Sequence, residues 1–460
     1  MAADEQRKGD PYEGSGVTAP AGFRRPWLRS DKSVVSQVIA PLERFVRLEA
    51  GSGFLLLAAA ATALIWANVS EGGYEAAWST DISLTVGDLE LSEDLRHWIN
   101  DLLMALFFCL IALEVKREIL FGELKDRKLA VVPVAAAIGG MVVPALVYLG
   151  INANGGNADG WAVPLATDVA FALAVLAMIG RMAPGPLRAL LLTVAIVDDI
   201  GAIVVIALFF SGGLDLAWLS GAVVVVGAIL LMQRLAIRHR AAYVAAAGLL
   251  WLAIFESGVH GTIAGVIVGL LTPPRPFHDP GETGKTIANQ VGDIVDGSEG
   301  PLEETMQQTS RLSREAISPL SRVEEALHPW TAYAVLPLFA LANAGVVLSL
   351  SSLADAFVEP IGLGIILGLV IGKPLGFLLG SGLALKLAGA RLPQGVDWPA
   401  LGALGALAGI GFTVALFISG LAFDSGEELD QAKTAILLAS LIAAGAGGAA
   451  FGARRLVRRR

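Results

Sequence analysis

Apolar runs close to the length of a bilayer crossing alternate with short polar breaks along nearly the whole chain. About twelve can be read, at 52–69, 98–115, 130–150, 161–180, 187–211, 216–233, 241–256, 260–272, 329–350, 360–385, 399–423 and 432–452. The eighth is short. The runs are continuous and lack the alternation of a membrane β-barrel, so helices are the spanning element they predict. The expected fold is an all-α polytopic membrane protein with about 12 transmembrane helices.

The polar segments divide the chain. Residues 1–45 read as a cytoplasmic tail, 46–272 as helices one to eight and 273–327 as a long cytoplasmic loop. Residues 328–453 carry helices nine to twelve, and 454–460 form a basic cytoplasmic C-terminus. Within the loop, the stretch from Glu303 to Leu327 has helical character. "DISLTVGDLELS" alternates on both sides of Gly87-Asp88, which predicts a small outer β-hairpin at about 80–93. A lone hairpin is marginal in water, so a second copy of itself is its simplest partner.

Basic residues orient the chain. With the N-terminus inside, the tail, the alternate loops with the span ends beside them, and the C-terminus hold 30 of the 33 Lys and Arg. Arg96 and Lys433 fall outside, and Lys373 lies within a span. Composition agrees: 55% of residues are hydrophobic and 16% charged, against roughly 25% charged in soluble domains. The first forty residues are polar and carry no cleavable signal pattern. The single cysteine, Cys109, excludes an intramolecular disulfide and reads as a buried thiol. Nothing in the charge distribution points to nucleic acid, and no cofactor is expected.

Four ionisable residues interrupt the apolar runs: Asp168, Asp198, Asp199 and Lys373. Each ionised side chain at mid-bilayer costs about 2.5–3.5 kcal/mol, so the four must face protein or water, and some must pair. Asp198 and Asp199 lie about 100° apart around one helix. One can face a polar funnel while the other turns to a neighbouring helix. Two adjacent carboxylates do not both ionise cheaply without a cation, which sets a hard monovalent cation against protons for the same oxygens. Asp168 follows Pro164 and Thr167 in "WAVPLATDVAFAL", where a spanning helix can break; the alternative is an ordinary N-cap. A carboxylate there can balance exposed helix ends. Lys373, before Pro374, is expected to pair with an aspartate on another helix, as a structural counter-ion or as a proton carrier. In "GALAGIGFTVALFISG", Gly405, Gly409 and Gly411 precede Thr413 and permit close packing or unwinding. Faint echoes hint at an inverted repeat of roughly 130–211 and 360–452. Near the inner face, Glu114, Lys116, Arg117 and Glu118 in "LEVKRE", and Arg322, Glu324, Glu325 and His328 in "RVEEALHPW", mark topology or a pH-sensitive gate. His260 in "SGVHGTIAG" is a minor candidate.

These strings, with "AIGGMVVPAL", "ATDVAFAL", "AIVDDIGAI", "SGVHGTIAGVIVG", "HPWTAYAVLPLFALANAG", "IGKPLG" and "GIGFT", occur in order at membrane positions. Over roughly 45–271 and 328–453 the chain resembles the NhaA family of bacterial sodium/proton antiporters. The resemblance implies inverted repeats with two broken, crossing helices, one interrupted near Thr167 and the other near Gly409–Phe412. It implies that Asp199 and Asp198, with Thr167, line the site for transported Na⁺ or Li⁺. Asp198 would pair with Lys373 in the inward, low-pH state, and Asp168 would balance the broken helices. Glu114, Arg117, Glu118, Glu324 and His328 would match a cytoplasmic pH-response region, with Glu325 standing where the family has a histidine. The loop before "LHPW" is longer than in short-looped members. The hairpin would match a homodimer contact, and the location would be the bacterial inner membrane, in contact with lipid.

The implied activity is secondary transport, not enzymatic catalysis: cytoplasmic Na⁺ or Li⁺ exchanged for external H⁺ by alternating access, electrogenic if two protons replace one Na⁺. No G-x-x-x-x-G-K-[ST] string is present, so the proton gradient is the expected energy source. The alternatives are a cation channel, an intramembrane aspartyl protease, and a structural or sensory membrane protein. A protease normally wants its two carboxylates on facing helices.

Overall fold

In a computed structural model the described residues are 49–86, 89–153, 157–179, 185–295, 302–387, 389, 392, 396–423 and 426–458. The N-terminal tail and the Gly87–Asp88 turn lie outside them. Residues from Ser52 onward form one compact unit.

The chain opens with α1 (Glu49–Val69) and a short α2 (Glu71–Trp78). Strands β1 (Asp81–Val86) and β2 (Leu89–Asp94) then pair antiparallel, with Ile82 opposite Glu93 and Leu84 opposite Leu91. The hairpin leads into α3 (Leu95–Phe121), which contains a π-turn at Ile99–Leu103. Trp98 Nε1 donates to Ile82 O at 3.1 Å, tying the start of α3 to the hairpin. Next come α4 (Arg127–Asn152), a 3₁₀ segment Ala158–Leu165, α5 (Val169–Ile179), α6 (Gly185–Phe209), α7 (Leu216–Arg234), α8 (Arg240–Glu256) and α9 (Thr262–Leu271). The predicted loop contains α10 (Pro280–Val295) and α11 (Leu302–Glu315). α12 begins inside that loop and runs over 319–343 through a π-turn at Thr331–Val335. The chain ends with α13 (Leu350–Asp355), α14 (Pro360–Leu387), α15 (Trp398–Ala408), α16 (Phe412–Ala422) and α17 (Glu427–Arg458).

Each of the twelve predicted apolar runs contains helix among the described residues. Among the described residues, seven helices are long and apolar enough to cross a membrane, or nine if each of two bent pairs is one span. The other three runs are α8, the ten-residue α9 and the π-interrupted second half of α12. Polar side chains begin several helices. Asp126 accepts from Lys128 N at the start of α4, and Asp215 accepts from Ala217 N at the start of α7.

The echoed repeats share one order: a continuous helix (α4, α14), a broken one (Ala158–Ile179, Trp398–Ala422), then another continuous helix (α6, α17). The two leading helices run antiparallel. A Cβ on Gly380 would meet Ala135 O, one on Gly376 would meet Gly139 O, and one on Gly372 would meet Pro144 Cα at 3.0 Å. Partner numbers fall along one helix as they rise along the other. Small residues let the backbones touch, which is how helices associate where lipid supplies no hydrophobic drive.

Candidate ion site

The site grows from the two breaks. The 3₁₀ segment holds Pro164, and Ala166 is extended (φ −85°, ψ 153°) before α5 resumes at a bend of 42°. The second break, Gly409–Gly411, bends α15 against α16 by 47°. Phe412, expected within that break, is instead the first residue of α16. The breaks face each other, with Asp168 N donating to Ile410 O at 2.6 Å.

Each break exposes helix ends that a membrane interior does not hydrate. Asp168 serves both N-termini. Its Oδ1 accepts from Phe171 N at 2.9 Å in α5, and its Oδ2 accepts from Thr413 N at 3.1 Å and Thr413 Oγ1 at 2.8 Å in α16. One carboxylate thus faces two positive helix ends of about half a charge each. The opposite ends carry donors: Lys373 Nζ donates to Leu165 O, and Thr167 Oγ1 donates to Ala408 O at 2.9 Å.

Asp198 and Asp199 lie midway along α6. Asp198 is fully buried; its Oδ2 is 2.8 Å from Lys373 Nζ and 2.7 Å from Thr167 Oγ1. Its Oδ1 has no hydrogen-bond partner among the described residues. Asp199 points elsewhere, is 7% exposed, and makes no hydrogen bond among the described residues. Lys373 follows a π-turn at Gly368–Gly372, an insertion that resets the helical register just before it. A Cβ on Gly140 would lie 3.8 Å from Lys373 Cε, so α4 passes close beside the lysine stem.

The charges define what this cluster can hold. With Lys373 charged and both aspartates ionised, the trio carries one net negative charge. One monovalent cation or one proton neutralises it. The oxygens left over are Asp198 Oδ1 and the Asp199 carboxylate, hard donors of the kind that hold alkali and alkaline-earth ions. No group of three His, Cys, Asp or Glu suited to a resident metal occurs among the described residues. The aspartates sit side by side on one helix, with Asp198 turned to a lysine, and lack a protease's facing arrangement.

The inner-face candidates separate into groups. Arg117 pairs with Glu324, which is 8% exposed, joining α3 to α12. Burial pushes the Glu324 carboxyl above the usual range, opposed by Arg117 and His328. Glu114 lies within electrostatic reach of Glu324 and Arg117 on one side and of Asp199 on the other. Glu118 instead accepts from Glu123 N at 2.7 Å in the turn after α3. Glu325 and His328 are exposed. His260 lies between α8 and α9, near the Phe210 backbone. Lys116, from the same string, donates to Leu270 O at 2.5 Å and Thr272 O at 2.7 Å, capping the C-terminal end of α9. Thr413 is the functional neighbour that the glycine pattern alone did not single out. Its signal was its place, one residue into the half-helix that follows the second break.

The sequence matches the family described as Na⁺/H⁺ antiporter 1 over residues 43–451. It is 45% identical to the Na(+)/H(+) antiporter NhaA 2 of Sorangium cellulosum, an alignment covering 93% of this chain and 92% of that protein. It is 45% identical to the Na(+)/H(+) antiporter NhaA of Rhodopirellula baltica, covering 90% and 94%, and 43% identical to that of a Janthinobacterium species, covering 89% and 92%.

Proposed function

The chain belongs to the Na⁺/H⁺ antiporter 1 family, whose named relatives are secondary transporters and not enzymes, and on that premise we propose that it exchanges cytoplasmic Na⁺, or Li⁺, for external H⁺ at Asp198 and Asp199. One observation carries the reading: two adjacent carboxylates are buried inside an apolar helix, one held by a lysine through a single oxygen and the other unbonded. Leaving such a pair fully ionised and empty is costly, so the loaded forms are the ones that move across the membrane.

The cycle runs by alternating access. Na⁺ binds the ionised aspartates from inside, with Thr167 beside them, and leaves outside as protons replace it. Two protons per Na⁺ make the exchange electrogenic. They are the two carboxyl protons, or those of Asp199 and Lys373. Asp168 keeps the crossing intact throughout. The Arg117–Glu324 pair, with Glu114 between it and Asp199, supplies the pH response, and Glu118, Glu325, His328 and His260 contribute less directly. Twelve spans place both termini in the cytoplasm of a bacterial inner membrane, and the hairpin joins two copies.

The test is Na⁺-induced dequenching of a pH dye in everted vesicles. Wild type should move protons against Na⁺, and well-inserted Asp199→Asn and Asp198→Asn should not. Undiminished exchange in Asp199→Asn would reject its role. Na⁺ flux without opposed proton flux would favour the channel alternative.

A further inference from the structure

We infer that Arg454 is a positioning residue for the ion site, acting from the far end of the half-helix α15; this rests on the exchange reading above. Asp397 begins that half-helix, and its Oδ1 accepts from Ala400 N at 3.0 Å as an N-cap. The same carboxylate is gripped by the last helix. Arg454 Nε lies 3.0 Å from Oδ1, and Arg454 Nη2 lies 3.0 Å from Oδ2. The arginine side chain is 7% exposed. Two parallel contacts from a planar guanidinium fix orientation as well as distance, which a single ammonium contact does not.

The other end of α15 touches the site. Ala408 O accepts the Thr167 hydroxyl that also reaches Asp198. A Cβ on Gly405 would meet Pro374 Cα at 3.1 Å, one residue beyond Lys373, and Gly409 packs against Leu369 O. At that same end, Gly447 of α17 packs against Leu407. An eleven-residue helix is about 16 Å long and stiff over that length. Because the helix breaks at Gly409, continuation into α16 does not hold it in line. Its axial position and rotation depend on its packing and on the clamp at Asp397. Releasing the clamp lets α15 shift, and Ala408 O and the Pro374 turn shift with it. Thr167 and Lys373 then hold Asp198 less well placed for a cation.

The expected signature is weaker Na⁺ binding at nearly unchanged turnover. Everted vesicles would carry Arg454→Gln, Arg454→Lys, Asp397→Asn and the Gln/Asn double variant, with folded protein quantified in each. Asparagine keeps an N-cap acceptor while losing the charge. Arg454→Gln and Asp397→Asn should each raise the apparent Na⁺ KM about fivefold with maximal rate within about twofold, the double no further than either single, and Arg454→Lys in between. An unchanged KM, or losses that track folded protein alone, would overturn the inference, as would single effects that multiply in the double. Asp199→Asn in the same vesicles keeps the two readings apart. If it still exchanges, the site assignment fails; if it is silent while KM is unmoved in the Arg454 variants, only the clamp fails.

Discussion

Replacing Lys373 with methionine removes the cation in contact with a buried carboxylate. Lys373 and Asp198 side chains are 1% and 0% exposed, and their charged atoms are 2.8 Å apart. Taking away one member of such a pair costs about 3–5 kcal/mol because the remaining charge is uncompensated, whereas removing both is far milder. Lys373→Met also orphans the Leu165 carbonyl, and Asp198→Asn leaves the ammonium facing an amide. Each single variant should therefore lose about 3–5 kcal/mol at neutral pH, and the double should lose at least about 2 kcal/mol less than the sum. The unfolding entropy of a chain this long is about 1 kcal/mol per degree, so the single losses correspond to about 3–5 °C in melting midpoint. The nine tryptophans provide the signal for thermal unfolding of purified protein. Strictly additive single losses, or a Lys373→Met midpoint equal to wild type, would refute the reasoning.

Three further outcomes are expected. Gly376→Ala drives a methyl into the Gly139 and Gly140 backbone and should cost about 1–3 kcal/mol, whereas Gly402→Ala, with its nearest atom 3.8 Å away at Leu378, should be neutral or better; melting midpoints compare them. Tyr74→Phe removes the hydroxyl that donates to Leu341 O at 2.9 Å and accepts from Gly345 N at 3.1 Å, for about 1–3 kcal/mol by the same measurement. Burial pushes this phenol up to about 12 from its ordinary 10, so the wild type loses stability as pH rises through that interval and the Phe variant lacks that loss. Glu324→Gln imitates the protonated carboxyl at every pH. Burial raises that group, so its pairing with Arg117 weakens as pH falls through a range above that of an ordinary carboxyl. The variant's exchange rate at alkaline pH should fall towards the wild type's rate at acid pH, and a wild-type pH profile would count against the assignment.

Much of this arrangement was legible from local chemistry. Pro164 and the Gly409–Gly411 run weaken helix ladders, and the two breaks lie just after that proline, at 166–168, and at those glycines. A lysine isolated in an apolar run needs an anion, and Lys373 meets Asp198. Strand alternation around Gly87–Asp88 carried the hairpin register. What escaped was long-range and depended on backbone atoms. Asp168 reaches Thr413 N across 245 residues, which no periodicity encodes. The antiparallel contact of Gly139 with Gly376 is visible only once both helices are placed. Charges at helix ends were equally ambiguous. Glu118 and Lys116 belong to the same short string as Arg117, yet they satisfy backbone groups while Arg117 crosses to Glu324. Asp397 and Arg454 are 57 residues apart, and only the placement of the last helix brings them together.

At the root of the proposed cycle, Na⁺ and H⁺ compete for the same two aspartates. Calorimetric titration of purified protein with Na⁺, repeated in buffers of different ionisation enthalpy, measures that competition directly. Proton release on Na⁺ binding, seen as a heat that changes with the buffer and disappears in Asp199→Asn, is the expected result. Equal heats in every buffer across the working pH interval would contradict it.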